Sequence, residues 1–158
     1  MWYLIETYIS IGLMAIMMAW LMFPLNALSG TLNDTRSFIS QSQATFATMK
    51  WESDVASART PGDLTFPNIN TMTMTWTTTS GQTEMVTWSQ SGGNLIRSKD
   101  VGGVVTNSVM ATGLDQSIPT TFSLVSPSTT EAKMVMTIAN QNPKVPLIQI
   151  DAIGSEEQ

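Results

Sequence analysis

Residues 4–28 read LIETYISIGLMAIMMAWLMFPLNAL, a stretch made mostly of Ile, Leu, Met, Ala and aromatic residues. Glu6 is the only charged side chain before Asp34. A run of about 20 apolar residues is what a helix needs to cross the hydrocarbon core of a membrane. Five methionines between Met1 and Met22, with few β-branched residues, favour a helix over a strand. The stretch predicts a helix that is apolar on all sides and lies in a membrane or among other helices.

The helical pattern continues beyond this stretch in a one-sided form. Pro24 and Gly30 predict a kink or a melted turn, because proline lacks an N–H donor and clashes with the preceding turn. Residues 59–63 read Arg-Thr-Pro-Gly-Asp, a strong stop, so the helix is expected to end near Ala58. The apolar side chains of this second half recur at helical spacing among Ser, Gln and Thr and are Phe38, Ile39, Phe46, Met49 and Val55.

From Leu64 the pattern changes to a period of two, which is typical of strands. Residues 71–77 alternate Thr with Met or Trp and place Met72, Met74 and Trp76 on one face. A return strand is expected over 84–89 with Val86 and Trp88 inward. Further strands are expected over 94–99, 121–125, 133–139 and 147–150, while 104–114 fits a strand or a short helix.

These elements predict an α+β protein: a long N-terminal hydrophobic helix packed on a small antiparallel β-sheet head. The strands form one meander, whose apolar face packs on the one-sided half of the helix. Three segments are expected. Residues 1–33 form the hydrophobic helix, 34–60 its amphipathic continuation, and 61–158 the head.

Composition excludes several classes of function. The net charge is −5 with no cluster of Lys or Arg, which argues against nucleic acid as a partner. The absence of Cys and His removes thiolate chemistry, the Ser-His-Asp triad and most zinc sites. The remaining candidate groups, Asp100, Asp115, Glu84 and Lys99, show no spacing of a catalytic pair. We expect no enzyme, no cofactor and no metal, and we expect Asn94, Arg97 and Lys99 to form a solvated hairpin end rather than an anion contact.

Glu6 is the residue with the sharpest functional meaning. A carboxylate in a membrane helix costs about 2.5–3.5 kcal/mol on insertion scales. Glu6 is either solvated among the lipid headgroups or paired with a cation. The one nearby cation that the chain offers is its own α-amino group or that of a neighbouring copy.

Residues 3–15 read YLIETYISIGLMA, which resembles the N-terminal signature of bacterial type IV pilins and type II secretion pseudopilins. Leu4, Ile5 and Glu6 match that motif, and Pro24 lies near the family's helix-breaking proline. The resemblance implies a leader cut by a prepilin peptidase and an N-methylated new N-terminus. Because the family's Glu is usually the fifth residue, the mature chain is expected to start at Trp2, or at Met1 with one extra residue.

The resemblance also implies a function. The chain is expected to be a structural subunit of an extracellular type IV pilus-like filament, with Glu6 paired to a neighbour's N-terminal amine. Pro24 and Gly30 would let part of the helix lose helicity during assembly. The implied partners are copies of the chain, the prepilin peptidase and the assembly machinery of the inner membrane, where subunits lie before export to the cell surface. The expected filament-core residues are Leu4, Ile5, Ile9, Leu13, Met17 and Leu21.

Two alternatives stay open. One is a minor pseudopilin at the tip of a type II secretion or competence pseudopilus, favoured by a likeness of residues 86–97 to a strand pair common in that class. The other is a single-pass, membrane-anchored binding protein in which Glu6 is incidental. Motility, adhesion, DNA uptake and protein secretion all use this plan of subunit, so the sequence leaves the role of the filament open.

Overall fold

A computed structural model describes residues 2–58, 63–126, 131–139 and 147–155, and for residues 2–13, 15 and 26 it describes the backbone alone. Over these residues the protein is α+β, with an N-terminal helix that packs on antiparallel sheets. The chain divides into two units, Met1–Arg36 and Ser37–Gln158. All eight described strands belong to the second unit.

The helix α1 spans Trp2–Ser57 and is continuous through Pro24 and Gly30. The melted turn expected between these two residues is therefore not found. A proline removes one N–H donor from the ladder, and here the hydrogen bonds of the flanking turns keep the backbone helical. The end expected near Ala58 is confirmed, and the Ala58 N–H donates to the Val55 carbonyl at 3.0 Å.

Five strands form the first sheet in the order of the chain, all antiparallel. The alternation predicted for β2 is confirmed, because Met72 and Met74 are fully buried and Trp76 packs against the same core. Val86 and Trp88 of β3 are likewise buried. The strands are β1 (Leu64–Asn68), β2 (Thr71–Thr77), β3 (Thr83–Ser91), β4 (Asn94–Val101) and β5 (Val104–Ala111).

The last three strands form a second sheet, so the expectation of a single meander is wrong. After β5 the chain makes an isolated bridge from Leu114 to Ile138 and a turn built on Asp115. This excursion carries it off the edge of the first sheet before it pairs again. The strands are β6 (Thr121–Leu124), β7 (Glu131–Ile138) and β8 (Ile148–Ser155), in the order β6-β7-β8.

The core lies between the C-terminal half of α1 and both sheets. Ala44, Ala47, Trp51 and Val55 are fully buried and share one helical face. Strand β8 approaches this face closely because Gly154 has no side chain. A Cβ added to Gly154 of β8 would lie 3.0 Å from the Val55 Cβ.

Candidate assembly surface

The most unusual surface of the described residues is the apolar part of α1 between Met14 and Leu32. Single exposed apolar residues are normal, but a contiguous set marks a site of interaction. The exposed fractions here run from 53% at Leu32 to 85% at Phe23. The set comprises Met14, Ile16, Met17, Met18, Trp20, Leu21, Met22, Phe23, Leu25, Leu28 and Leu32.

These side chains surround the helix rather than forming a stripe. Residues of an α-helix follow each other at about 100°, so Met14, Met22, Phe23 and Met17 point at about 0°, 80°, 180° and 300°. All four are more than 60% exposed. A helix that is apolar all round is typical of a segment that is buried in a membrane or in the core of a larger structure.

The structure describes the side chains of only some of the residues that the sequence predicted for assembly. Met17 and Leu21 are 63% and 60% exposed, and Pro24 and Gly30 are exposed as well. Outside the backbone of its own helix and its chain neighbours, no described atom lies within 4 Å of the place where a Gly30 Cβ would stand. The backbone is helical at Trp2, Leu4, Ile5, Glu6, Ile9 and Leu13, whose side chains lie outside the described part, as does all of Met1.

The second half of α1 carries apolar residues on two faces, which corrects the sequence interpretation. Val55 is buried as expected, but Phe38, Phe46 and Met49 are 71%, 62% and 65% exposed, and Ile39 is exposed too. The opposite face, which carries the fully buried Trp51 beside alanines, is the one that packs on the sheets. Apart from Val55, the apolar residues that the spacing singled out are therefore turned outward.

A buried carboxylate joins this half of α1 to the first sheet. Asp54 is 2% exposed, and its Oδ2 accepts hydrogen bonds from Arg97 Nε at 2.6 Å and Trp88 Nε1 at 3.0 Å. Its Oδ1 accepts from Arg97 Nη2 at 2.9 Å and lies 3.1 Å from Lys50 Nζ. Both oxygens are thus satisfied, which a buried carboxylate requires.

Sequence reasoning missed this cluster and treated Arg97 as a solvated residue. Arg97 is paired in register with Trp88 and shares its inward face, which brings it to α1. A signal was present in the helix. Asp54 follows Ala47 by seven residues and Trp51 by three, so it lies on the apolar face of the helix. A buried carboxylate on that face is strongly unfavourable unless a cation pairs with it.

The carboxylates considered for catalysis have structural partners. Glu84 pairs with Lys99 at 2.8 Å, and Asp100 accepts a hydrogen bond from the Gly103 N–H at 2.9 Å. Asp115 accepts from the Ser117 hydroxyl and N–H, and these bonds lower the pKa of the carboxyl. No three potential metal ligands are grouped within the described residues.

An open groove of about 620 Å³ lies between α1 and β2 in the second unit. It is bordered by Ser53, Ala56, Ser57 and residues 76–79, none of which is charged. The groove therefore offers neither an acid–base pair nor a charged ligand contact.

Within the described residues, no helix has both the length and the apolar character needed to cross a membrane. Comparisons with protein-family models, with curated proteins and with solved structures find no match to this chain.

Proposed function

We propose that the protein is a structural subunit of a type IV pilus-like filament that assembles through the N-terminal half of α1. The observation that carries this proposal is the set of apolar side chains exposed on every side of the helix between Met14 and Leu32. Burying one large aliphatic or aromatic side chain contributes about 1.5–3 kcal/mol. Coverage of the whole set by neighbouring helices therefore supplies a large driving force for association.

The charge pattern supports packing among identical helices. No charged side chain occurs from Thr7 to Asn33, so copies can pack at many relative positions without opposing like charges. Methionines at 14, 17, 18 and 22 adapt their shape to irregular neighbours. Glu6 would fix the register by pairing with a neighbour's N-terminal amine, since an unpaired buried carboxylate is strongly unfavourable.

The second unit supports the same role because its described core includes none of residues 14–32. Within this unit the Asp54–Arg97 pair fixes the second half of α1 to β4. The outward residues Phe38, Phe46 and Met49 offer further apolar contacts for neighbouring subunits.

The proposal includes a path to the filament. A prepilin peptidase would release the mature chain at Met1 or Trp2 and methylate its amine. Subunits would lie at the inner membrane before assembly and at the cell surface afterwards.

The experiment that tests the proposal compares two substitutions on α1. Leu21→Asp places a charge in the exposed apolar set, whereas Glu52→Gln removes a charge from an exposed position in the second half. We expect Leu21→Asp to abolish filaments sheared from cells and Glu52→Gln to leave them unchanged. Glu6→Gln should also fail to assemble.

Mass spectrometry of the sheared fraction supplies the second readout. A methylated α-amine on Met1 or Trp2 would support the proposed processing. Unchanged filament yield in Leu21→Asp would overturn the assembly surface. A protein that stays with the cell envelope with an unprocessed start would instead favour the single-pass binding protein, and antibody labelling confined to filament tips would favour the minor pseudopilin.

A further inference from the structure

Strand β5 is the last strand of the five-stranded sheet, and its outer edge faces no other strand of the described residues. Val104, Val105 and Val109 are 69%, 60% and 59% exposed. An uncovered edge presents a row of unpaired backbone donors and acceptors, to which another strand can add.

The opposite edge of the same sheet carries the usual protection. Strand β1 has five residues, includes Pro67, and loses its regular register between Thr65 and Asn68. Proline and irregular register both hinder strand addition. Strand β5 has eight residues and contains neither proline nor any charged side chain. The sheet is therefore closed to strand addition at β1 and open at β5.

The turn before β5 fixes which backbone groups face the open edge. Gly102 and Gly103 both have positive φ, +60° and +88°, as in the two-residue type I′ turn. Such a turn makes Val101 and Val104 a hydrogen-bonded pair. By alternation, Val105, Asn107 and Val109 direct their N–H and C=O groups away from β4.

The residues on this edge form a near-palindrome. Residues 105–109 read Val-Thr-Asn-Ser-Val, symmetric about Asn107 apart from the exchange of Thr for Ser. The straight part of the edge stops beyond Val109, where the register shift opposite Leu95 leaves Met110 as an extra residue.

We propose that β5 pairs in antiparallel fashion with β5 of a second copy of this chain, about a two-fold axis at Asn107. In this register Val105 lies opposite Val109 of the second copy, and Thr106 lies opposite Ser108. Three pairs are hydrogen-bonded, centred on Asn107 opposite Asn107, with about six backbone hydrogen bonds in all. The groups that face outward are the ones this register uses.

A second copy fits this edge because the edge is complementary to itself. A two-fold contact needs the same patch to match its own rotated image, which the near-palindrome provides. The contact goes beyond the proposed filament and does not involve the helix. Since it closes after two copies, it would join heads of two filaments or of two unassembled subunits rather than extend one filament.

Thiol cross-linking of the full chain tests the register directly, because the chain has no cysteine. Opposed residues of a hydrogen-bonded pair have Cα atoms about 5.5 Å apart, within the range that a disulfide spans. We expect Asn107→Cys to give cross-linked dimers at least about tenfold faster than Thr65→Cys on the edge of β1. Equal rates for the two variants would overturn the inference.

A charge pair supplies the matched control in the Asn107→Cys chain. Val105→Lys with Val109→Lys opposes two lysines on each side of the axis, whereas Val105→Lys with Val109→Glu opposes a lysine with a glutamate. We expect cross-linking to fall at least about tenfold in the first variant and to recover in the second. Equal cross-linking in both variants would exclude this register.

The two proposals fail separately. Val105 and Val109 are exposed, so we expect the charge variants to unfold at the same urea midpoint as the parent chain. Matching midpoints would exclude unfolding as the cause of a loss of cross-linking. Filaments without cross-linking would remove the β5 contact and leave the proposed function standing. Cross-linking without filaments would overturn the proposed function and leave the β5 contact standing.

Discussion

In the second half of α1 the residues Ala44, Ala47, Trp51 and Val55 are fully buried by the sheets of the same chain, whereas from Met14 to Leu32 the apolar side chains are more than half exposed on every side. The two parts share one continuous backbone but differ in pattern. One apolar face with a single buried carboxylate suits packing on the sheets of the same chain. An uncharged surface all round suits neighbours on all sides, which one sheet cannot supply.

The largest effect on stability is expected at Asp54, which joins the second half of α1 to the first sheet. Asp54→Ala leaves the Arg97 guanidinium, which is 12% exposed, and the Trp88 N–H without their shared acceptor. Breaking a buried pair in this way costs about 3–5 kcal/mol. We expect the free energy of unfolding of the head to fall by that amount in urea titrations followed by tryptophan fluorescence.

Lys50→Gln is the control for this prediction. Lys50 also contacts Asp54, but its side chain is 40% exposed, so its loss should cost about 0–1 kcal/mol. Equal destabilisation by the two substitutions would show that the buried Arg97 contact is not the main anchor.

A smaller effect tests the close approach of β8 to the helix. Gly154→Ala would place a methyl group 3.0 Å from the Val55 Cβ and 3.2 Å from both its γ-carbons. Overpacking of this kind costs about 1–3 kcal/mol. The midpoint of thermal unfolding should fall, and Gly154→Ala should cost less in a Val55→Ala background than in the parent, because alanine removes both γ-carbons and keeps only the Cβ contact.

The same change in the first half should have the opposite sign. The methyl group of Gly30→Ala would meet no described atom within 4 Å beyond the backbone of its own helix and its chain neighbours, and alanine is favoured over glycine in a helix interior by about 0.5–1 kcal/mol. We expect slower amide hydrogen exchange around residue 30 with unchanged unfolding of the head. If opening of this turn accompanies assembly, the variant should also form filaments more slowly. A loss of helicity would contradict the prediction.

The smallest effect concerns pH. Hydrogen bonds from Lys133 and Gln149 lower the pKa of Asp151, and bonds from Ser117 lower that of Asp115. Both carboxyls therefore stabilise the head above their ordinary pKa and lose this contribution as the pH falls through the lowered value. Urea midpoints should decrease slightly over that window, and Lys133→Gln should flatten the decrease.

The parts of the fold that depend on local pattern could be predicted from the sequence. The alternation of Thr with Met and Trp predicted the buried face of β2, and residues 59–63 predicted the end of α1. Features that depend on distant residues could not. The Asp54–Arg97 pair joins positions 43 residues apart, and periodicity carries no information about such pairing.

The exposed apolar set illustrates the same limit for the candidate site. The mostly apolar pattern of residues 4–28 is plain in the sequence, and Met17 and Leu21 within it are exposed. The outward faces of Phe38, Phe46 and Met49 were not foreseen, because helical spacing alone does not tell which of two apolar faces meets the sheet. The resemblance to pilins, and the filament that it implies, stay predictions.

The Asp54 cluster has a mechanical consequence for a protein pulled along its helix. Tension carried by the second half of α1 would enter the head in its interior, through two charge-assisted bonds of 2.6 and 2.9 Å to Arg97, and from there into β4, an interior strand of the five-stranded sheet. Contacts at a surface can break one after another, whereas the two Asp54–Arg97 bonds would have to break together with the packing of the core around them. Because the Asp54–Arg97 pair is buried, dissolved salt screens it little, so we expect its strength to be similar at high and low ionic strength.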